Sequence, residues 1–160
     1  MRNQKLIFIH GLEGSSQGNK AKLLRKIFPE ILIPDFYGPL AQRMELLTAI
    51  LHESESWKII GSSFGGLMGA LFAHQFPQRV DKLILLAPAL VWPEFAQLHK
   101  ASIPVPTVIF HGTHDAVIPV NLVRKLAERV FVILDFHTVK DDHGLHETAQ
   151  NIDWQAIIYV

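Results

Sequence analysis

Cysteine is absent from this 160-residue chain, so neither a disulfide nor a thiolate-ligated metal takes part in its fold or chemistry. Neither sign of charge is in excess. Fifteen Lys and Arg residues stand against 15 Asp and Glu, and they are spread along the chain rather than clustered. This leaves no basic footprint for nucleic acid and no patch for an anionic membrane surface. No apolar run approaches the roughly 18 residues a membrane-spanning helix needs, and residues 1–5 lack the apolar core of a secretory leader. Repeats, low-complexity tracts and linker-like stretches are also missing. The expectation is a soluble cytoplasmic protein with no nucleic-acid partner and no membrane insertion. At 49% apolar residues the chain can cover a sheet on both faces, as a single domain over 1–160.

What is present alternates between two periodicities. Short apolar, β-branched runs near 5–10, 31–34, 57–61, 82–87, 105–111 and 130–138 predict about six strands, with helical stretches between them. Leu40, Met44, Leu47 and Leu51 recur at helical spacing, as do Leu67, Ala70, Leu71 and His74, and residues 20–27 and 120–130 are further helices. Pro39, Pro93 and Pro119 stand where helices open. Residues 147–158 read as one closing helix. The alternation predicts an α/β fold: a three-layer α/β/α sandwich around a mostly parallel sheet.

Four segments at predicted strand ends carry polar residues suited to chemistry. Gly61-Ser62-Ser63-Phe64-Gly65 lies between the run Trp57-Lys58-Ile59-Ile60 and a helix. A serine on such a sharp strand-to-helix turn exposes its Oγ beside free helix N–H groups, which makes Ser63 the candidate nucleophile. The first strand ends in His10-Gly11-Leu12-Glu13-Gly14, whose amides can turn toward an oxyanion. Asp115 follows the strand at 105–111, and His143 follows the last strand in Asp141-Asp142-His143-Gly144-Leu145. The order Ser63, Asp115, His143 differs from the chymotrypsin and subtilisin orders. Alternatives stand beside this reading. His146 competes with His143 as base, Asp141 or Asp142 with Asp115 as its partner, and Asp115 also suits a helix cap.

His10-Gly11, Gly61-x-Ser63-x-Gly65, His111-Gly112-x-x-Asp115 and Asp142-His143 together resemble, in register over essentially the whole chain, the motifs of α/β-hydrolase-fold serine esterases. His10-Gly11-Leu12 followed by Ser15-Ser16 and Lys20-Ala21 is most similar to the small bacterial esterases of the YqiA type. The resemblance implies a compact fold trimmed of its first antiparallel strands. It also implies oxyanion donors at the backbone N–H groups of Leu12 and Phe64. Only residues 87–104 separate two strands where many relatives insert a lid, so a shallow, open site is expected, bounded by Leu12, Phe64, Val91, Trp92, Val117 and Leu145. The implied activity is cofactor-independent hydrolysis of small esters or thioesters through an acyl-enzyme. An acyltransferase or lyase with the same triad, or a silent hydrolase-shaped binding protein, are the alternatives. A homodimer through an apolar rim is compatible with the missing lid.

Other polar residues read more plainly. His10 and His111 are expected to support their loops, and Ser15 and Ser16 to form a turn or cap. His52, His74, His99, His114 and His137 read as surface positions, and of Trp57, Trp92 and Trp154 only Trp92 is placed to line a pocket. The cluster His111, His114, Asp115 lacks metal-binding spacing. The stretch 11–20 contains neither a phosphate-loop nor a dinucleotide motif, so no metal and no cofactor are expected.

Overall fold

The computed structural model describes residues 4–98 and 100–160. Five parallel strands form one sheet in the order β1 (Gln4–Ile9), β2 (Ser56–Ser62), β3 (Val80–Leu86), β4 (Thr107–Gly112) and β5 (Leu134–Val139). Side chains alternate across the strands, and each face is apolar because helices cover both. Ile7, Ile9, Ile59, Leu83, Leu85 and Ile109 pack on one face with α2 (Leu40–Ile50), α3 (Phe64–Gln75), α4 (Pro93–Ala96) and α5 (Val120–Val130). Phe8, Ile60, Ile84 and Leu86 pack on the other with α1 (Asn19–Ile27), α6 (His146–Asn151) and α7 (Trp154–Tyr159). Each large side chain buried here stabilises the fold by about 1.5–3 kcal/mol.

The expected strand at 31–34 is reduced to a single bridge, Ile7 with Leu32, held by Phe8 N–H to Leu32 O and Leu32 N–H to Leu6 O, both 2.9 Å. Pro34 has no N–H with which to extend the pairing. The last strand starts at 134 rather than 130, because the helical spacing of Val123, Leu126, Ala127 and Val130 carries α5 through Val130. The closing helix is broken in two. Ile152 is extended, and the Asp153 carboxylate accepts the Ala156 N–H at 3.1 Å, opening α7. Between β3 and β4 lie only α4 and irregular chain, with no inserted lid among the described residues.

The Leu32 bridge lies on the outer side of β1, whereas β2 lies on its inner side. The connections therefore diverge at β1 and β2, and a crevice opens beyond their carboxyl ends. Close approach is required there. A Cβ on Gly65 would collide with the carbonyl oxygen of Ile9 and lie 2.6 Å from that of His10. The first turn of α3 is thus pressed directly onto the end of β1. We predict that Gly65→Ala lowers stability by at least about 2 kcal/mol, because backbone must shift to admit the methyl group. Denaturant unfolding checks this, and an unchanged midpoint would contradict it.

Candidate active site

Ser63 joins β2 to α3 with φ 53° and ψ −112°, a backbone conformation that non-glycine residues rarely hold. Three backbone hydrogen bonds fix it. Ser63 N–H donates to Leu86 O at 2.9 Å, and Ser63 O accepts from Leu67 N–H at 3.1 Å and Ala89 N–H at 2.9 Å. The side chain is left pointing out at the carboxyl end of the sheet. There Ser63 Oγ lies 3.1 Å from His143 Nε2, and His143 Nδ1 lies 2.7 Å from Asp115 Oδ2. With Nδ1–H donating to the carboxylate, Nε2 is free to accept the serine proton.

The spacing of His143 and Asp115 is set by backbone. Thr113 N–H donates to Val139 O at 2.8 Å and His114 N–H to Asp141 O at 3.0 Å, lacing the loop after β4 to the loop after β5. A Cβ on Gly112 would lie 2.8 Å from the Asp142 carbonyl and closer still to that of Asp141. Asp115 Oδ1 accepts the N–H groups of Val117 at 2.8 Å and Ile118 at 2.7 Å. Burial pushes the Asp115 carboxyl upward. The Ile118 amide, the His143 bond and the Val117 amide outweigh it and hold the group below the usual carboxylate range.

The competing acids have other partners. Asp141 accepts Asp142 N–H at 2.8 Å and both the N–H and hydroxyl of Thr148, at 3.1 and 2.7 Å, and so caps α6. Asp142 accepts Gly144 N–H at 3.0 Å and is exposed. His146 is the first residue of α6 and has no contact with Ser63 among those described.

The loop after β1 lies against the elbow, since a Cβ on Gly11 would be 3.6 Å from Ser63 Cβ. His10 is buried and supports it: Nε2 accepts Phe36 N–H at 2.9 Å, which places the proton on Nδ1, 2.7 Å from Gly11 O. Ser15 O accepts Gly18 N–H in a turn, and Ser16 donates through N–H and hydroxyl to Asp35 at 2.6 and 2.8 Å. Phe64 N–H opens α3 and has no intrahelical acceptor, and Leu12 N–H makes no hydrogen bond within the described chain. Both amides are thus available at the carboxyl end of the sheet. A cavity of about 170 Å³ opens alongside, lined in part by His10, Gly11, Lys20, Ser62 and His146.

The expected walls divide. Leu12, Trp92 and Val117 are exposed at 49%, 40% and 69%, while Val91 is half-buried against the core. The Phe64 ring is buried beneath Trp92, edge to face at 5.2 Å. Leu145 is a correction. At φ 49° its left-handed turn sends the side chain into the core with Ala149 and Trp154, where it is fully buried and cannot border a ligand. A groove of about 720 Å³ between β5 and α6–α7 touches none of Ser63, Asp115 and His143, so the site is located by its hydrogen bonds rather than by depth.

His52, His74, His114 and His137 are exposed, and His99 lies outside the described residues. Trp57 and Trp154 are buried in the core. Among the described residues no group of three His, Cys, Asp or Glu is placed to hold a metal ion, and no helix is long and apolar enough to cross a membrane. Sequence reasoning missed Arg43, a buried residue of α2 whose guanidinium meets the Leu12 carbonyl at 3.1 Å and the Phe64 ring at 5.2 Å. Its placement between Leu40 and Met44, beside an apolar stripe, was the available signal.

A family profile described as alpha/beta hydrolase fold matches residues 40–104. The uncharacterized proteins Rv2715 of Mycobacterium tuberculosis and Mb2734 of Mycobacterium bovis are each 32% identical over 99 residues. The match takes in 51% of this chain, which spans only 28% of the length of these curated relatives. Among solved structures, Est1E from Butyrivibrio proteoclasticus with ferulic acid bound superposes with a TM-score of 0.78 at 17% identity, covering 98% of this chain and 90% of that one. Mouse alpha/beta hydrolase domain-containing protein 10 gives 0.75 at 20% identity, covering 96% and 86%. An alpha-beta serine hydrolase homologue from Coxiella burnetii gives 0.76 at 19% identity, covering 99% and 85%. The chain has the α/β-hydrolase fold.

His111 carries a pH consequence. Its ring is fully buried at the end of β4, with Nε2 2.9 Å from Ile118 O and 3.1 Å from Asp115 Oδ2, and Nδ1 has no partner. Burial lowers its pKa, and the nearby His143 adds to this. The Ile118 carbonyl and the Asp115 carboxylate oppose the shift without reversing it. The unfolded chain therefore takes up a proton below about pH 6.5 that the folded protein refuses. Stability is predicted to fall as pH drops below that value toward the lower folded pKa. The slope should flatten in His111→Asn, as measured by urea unfolding from about pH 7 to 5. An identical slope in the variant would contradict the assignment.

Proposed function

We propose that the protein is a serine hydrolase that cleaves carboxylic esters, and thioesters by the same chemistry, of small acyl groups. The observation that carries this reading is the continuous chain Ser63 Oγ, His143 Nε2, His143 Nδ1, Asp115 Oδ2, with links of 3.1 and 2.7 Å. In the first step Ser63 Oγ bonds to the acyl carbon while His143 Nε2 takes the hydroxyl proton, and the carbonyl electrons move onto oxygen. The amides of Leu12 and Phe64 receive that oxyanion. Collapse re-forms the carbonyl, breaks the ester bond and returns the proton from His143 to the leaving oxygen. Water, deprotonated by the same nitrogen, then releases the acid and regenerates Ser63. Asp115 keeps the imidazole in the tautomer this sequence needs and stabilises its cation.

The open rim of Leu12, Trp92 and Val117 supports short or aromatic acyl groups that remain partly solvated. Est1E, seen with ferulic acid, makes aryl acids a reasonable part of a substrate screen. Initial rates on p-nitrophenyl acetate, butyrate and palmitate test the reading. The expected order is acetate or butyrate well above palmitate, with kcat reduced at least about 10³-fold in Ser63→Ala and in His143→Ala. No turnover by folded wild-type protein, or turnover that survives Ser63→Ala, would refute it. A preference for palmitate would refute the open-site part alone.

A further inference from the structure

Arg43 projects from α2 into the protein and is 4% exposed. Its Nε donates to Gly38 O at 2.8 Å and one terminal nitrogen to Leu12 O at 3.1 Å, while the other terminal nitrogen is buried with no partner. The guanidinium carbon stands 5.2 Å from the centre of the Phe64 ring. No carboxylate pairs with it among the described residues. A buried cation without a counter-charge is costly, and retaining one demands a compensating interaction. This one touches the two residues, Leu12 and Phe64, whose backbone N–H groups are free beside Ser63.

The contacts define how it acts. His10 Nδ1–H holds Gly11 O and Arg43 holds Leu12 O, so the peptide bonds on both sides of Leu12 are pinned by their carbonyls. In a trans peptide the N–H points opposite to the C=O, so His10 and the Gly14 N–H, by holding Gly11 O, set the direction of Leu12 N–H, and Arg43, by holding Leu12 O, keeps the following peptide from turning away. The unpartnered nitrogen is shut off from solvent, so it cannot itself bind an anionic group of a substrate. Resting on the serine-hydrolase reading, we propose that Arg43 is a positioning residue for the oxyanion site: it clamps the Leu12 loop, and its uncompensated positive charge favours the negative charge that forms on the tetrahedral intermediate. The compensating anion is then the transition state itself, which appears only during turnover.

Arg43→Met removes the charge at similar length, and Arg43→Lys restores it. The readouts are kcat and KM on p-nitrophenyl acetate and inhibition by phenylboronic acid, whose serine adduct is tetrahedral and anionic. Arg43→Met should lower kcat at least about tenfold with KM changed less than about twofold, and weaken the boronate by a similar factor. Arg43→Lys should recover most of both losses. Wild-type kcat and boronate affinity in Arg43→Met would overturn the proposal, as would a folded Arg43→Lys as impaired as Arg43→Met. Thermal unfolding monitors the fold. If Arg43→Met fails to fold, Arg43→Gln takes its place with the same expected and contrary results. Absence of turnover in wild-type protein would instead sink the hydrolase reading on which this rests, and it is seen before any variant is compared.

Discussion

The left-handed backbone of Ser63, at the junction of β2 and α3, governs where the other groups of the site can stand. A residue with a Cβ at φ 53° and ψ −112° costs on the order of 1–3 kcal/mol, and the surroundings must impose it. They do so from three directions. β3 receives the Ser63 N–H through Leu86, α3 and the Ala89 turn donate to the Ser63 carbonyl, and Gly61 and Gly65 let the strand end and the helix start approach closely. Ala87, also at positive φ with 44°, ends β3 in the matching turn and donates to Phe110 O. Two adjacent strand ends are thus bent together, and the apolar packing on both sheet faces offsets the strain.

From that fixed point the other groups are placed by backbone rather than by charge. The loop after β1 is held against the elbow by His10 and Arg43, and Ser16 ties it to Asp35 beyond the Leu32 bridge. The loops after β4 and β5 are laced through Thr113, His114 and Gly112 before Asp115 and His143 meet. Such an arrangement keeps distances of about 3 Å without long-range electrostatics, consistent with a chain of zero formal charge. Among the described residues the buried side-chain atoms without a hydrogen-bond partner are one terminal nitrogen of Arg43 and Nδ1 of His111, beside this chain of contacts, and Arg79 Nε and Asp81 Oδ2, at the start of β3.

Much of this was legible in the sequence. The four polar segments each follow an apolar run, and strand ends on one edge of a parallel sheet bring them together whatever the loop details. What escaped the sequence is local competition. Residues 31–34 have strand composition, but Pro34 ends the pairing after one bridge. Val130 is β-branched, yet its helical spacing with Val123 and Leu126 prevails. Leu145 sits in the histidine loop and looks pocket-facing, but a left-handed φ turns it into the core. Arg43 stands beside the apolar stripe of α2, which hints at burial but not at a partner. Its burial depends on a loop 31 residues earlier, and helical periodicity carries no information about that distance.

Whether Ser63 is an activated nucleophile is decided by covalent labelling with a fluorophosphonate probe followed by peptide mapping. Rapid, single modification at Ser63 is expected in the folded protein, abolished in Ser63→Ala and strongly slowed in His143→Ala. Absence of labelling in folded protein, or labelling at another residue that survives Ser63→Ala, would contradict it.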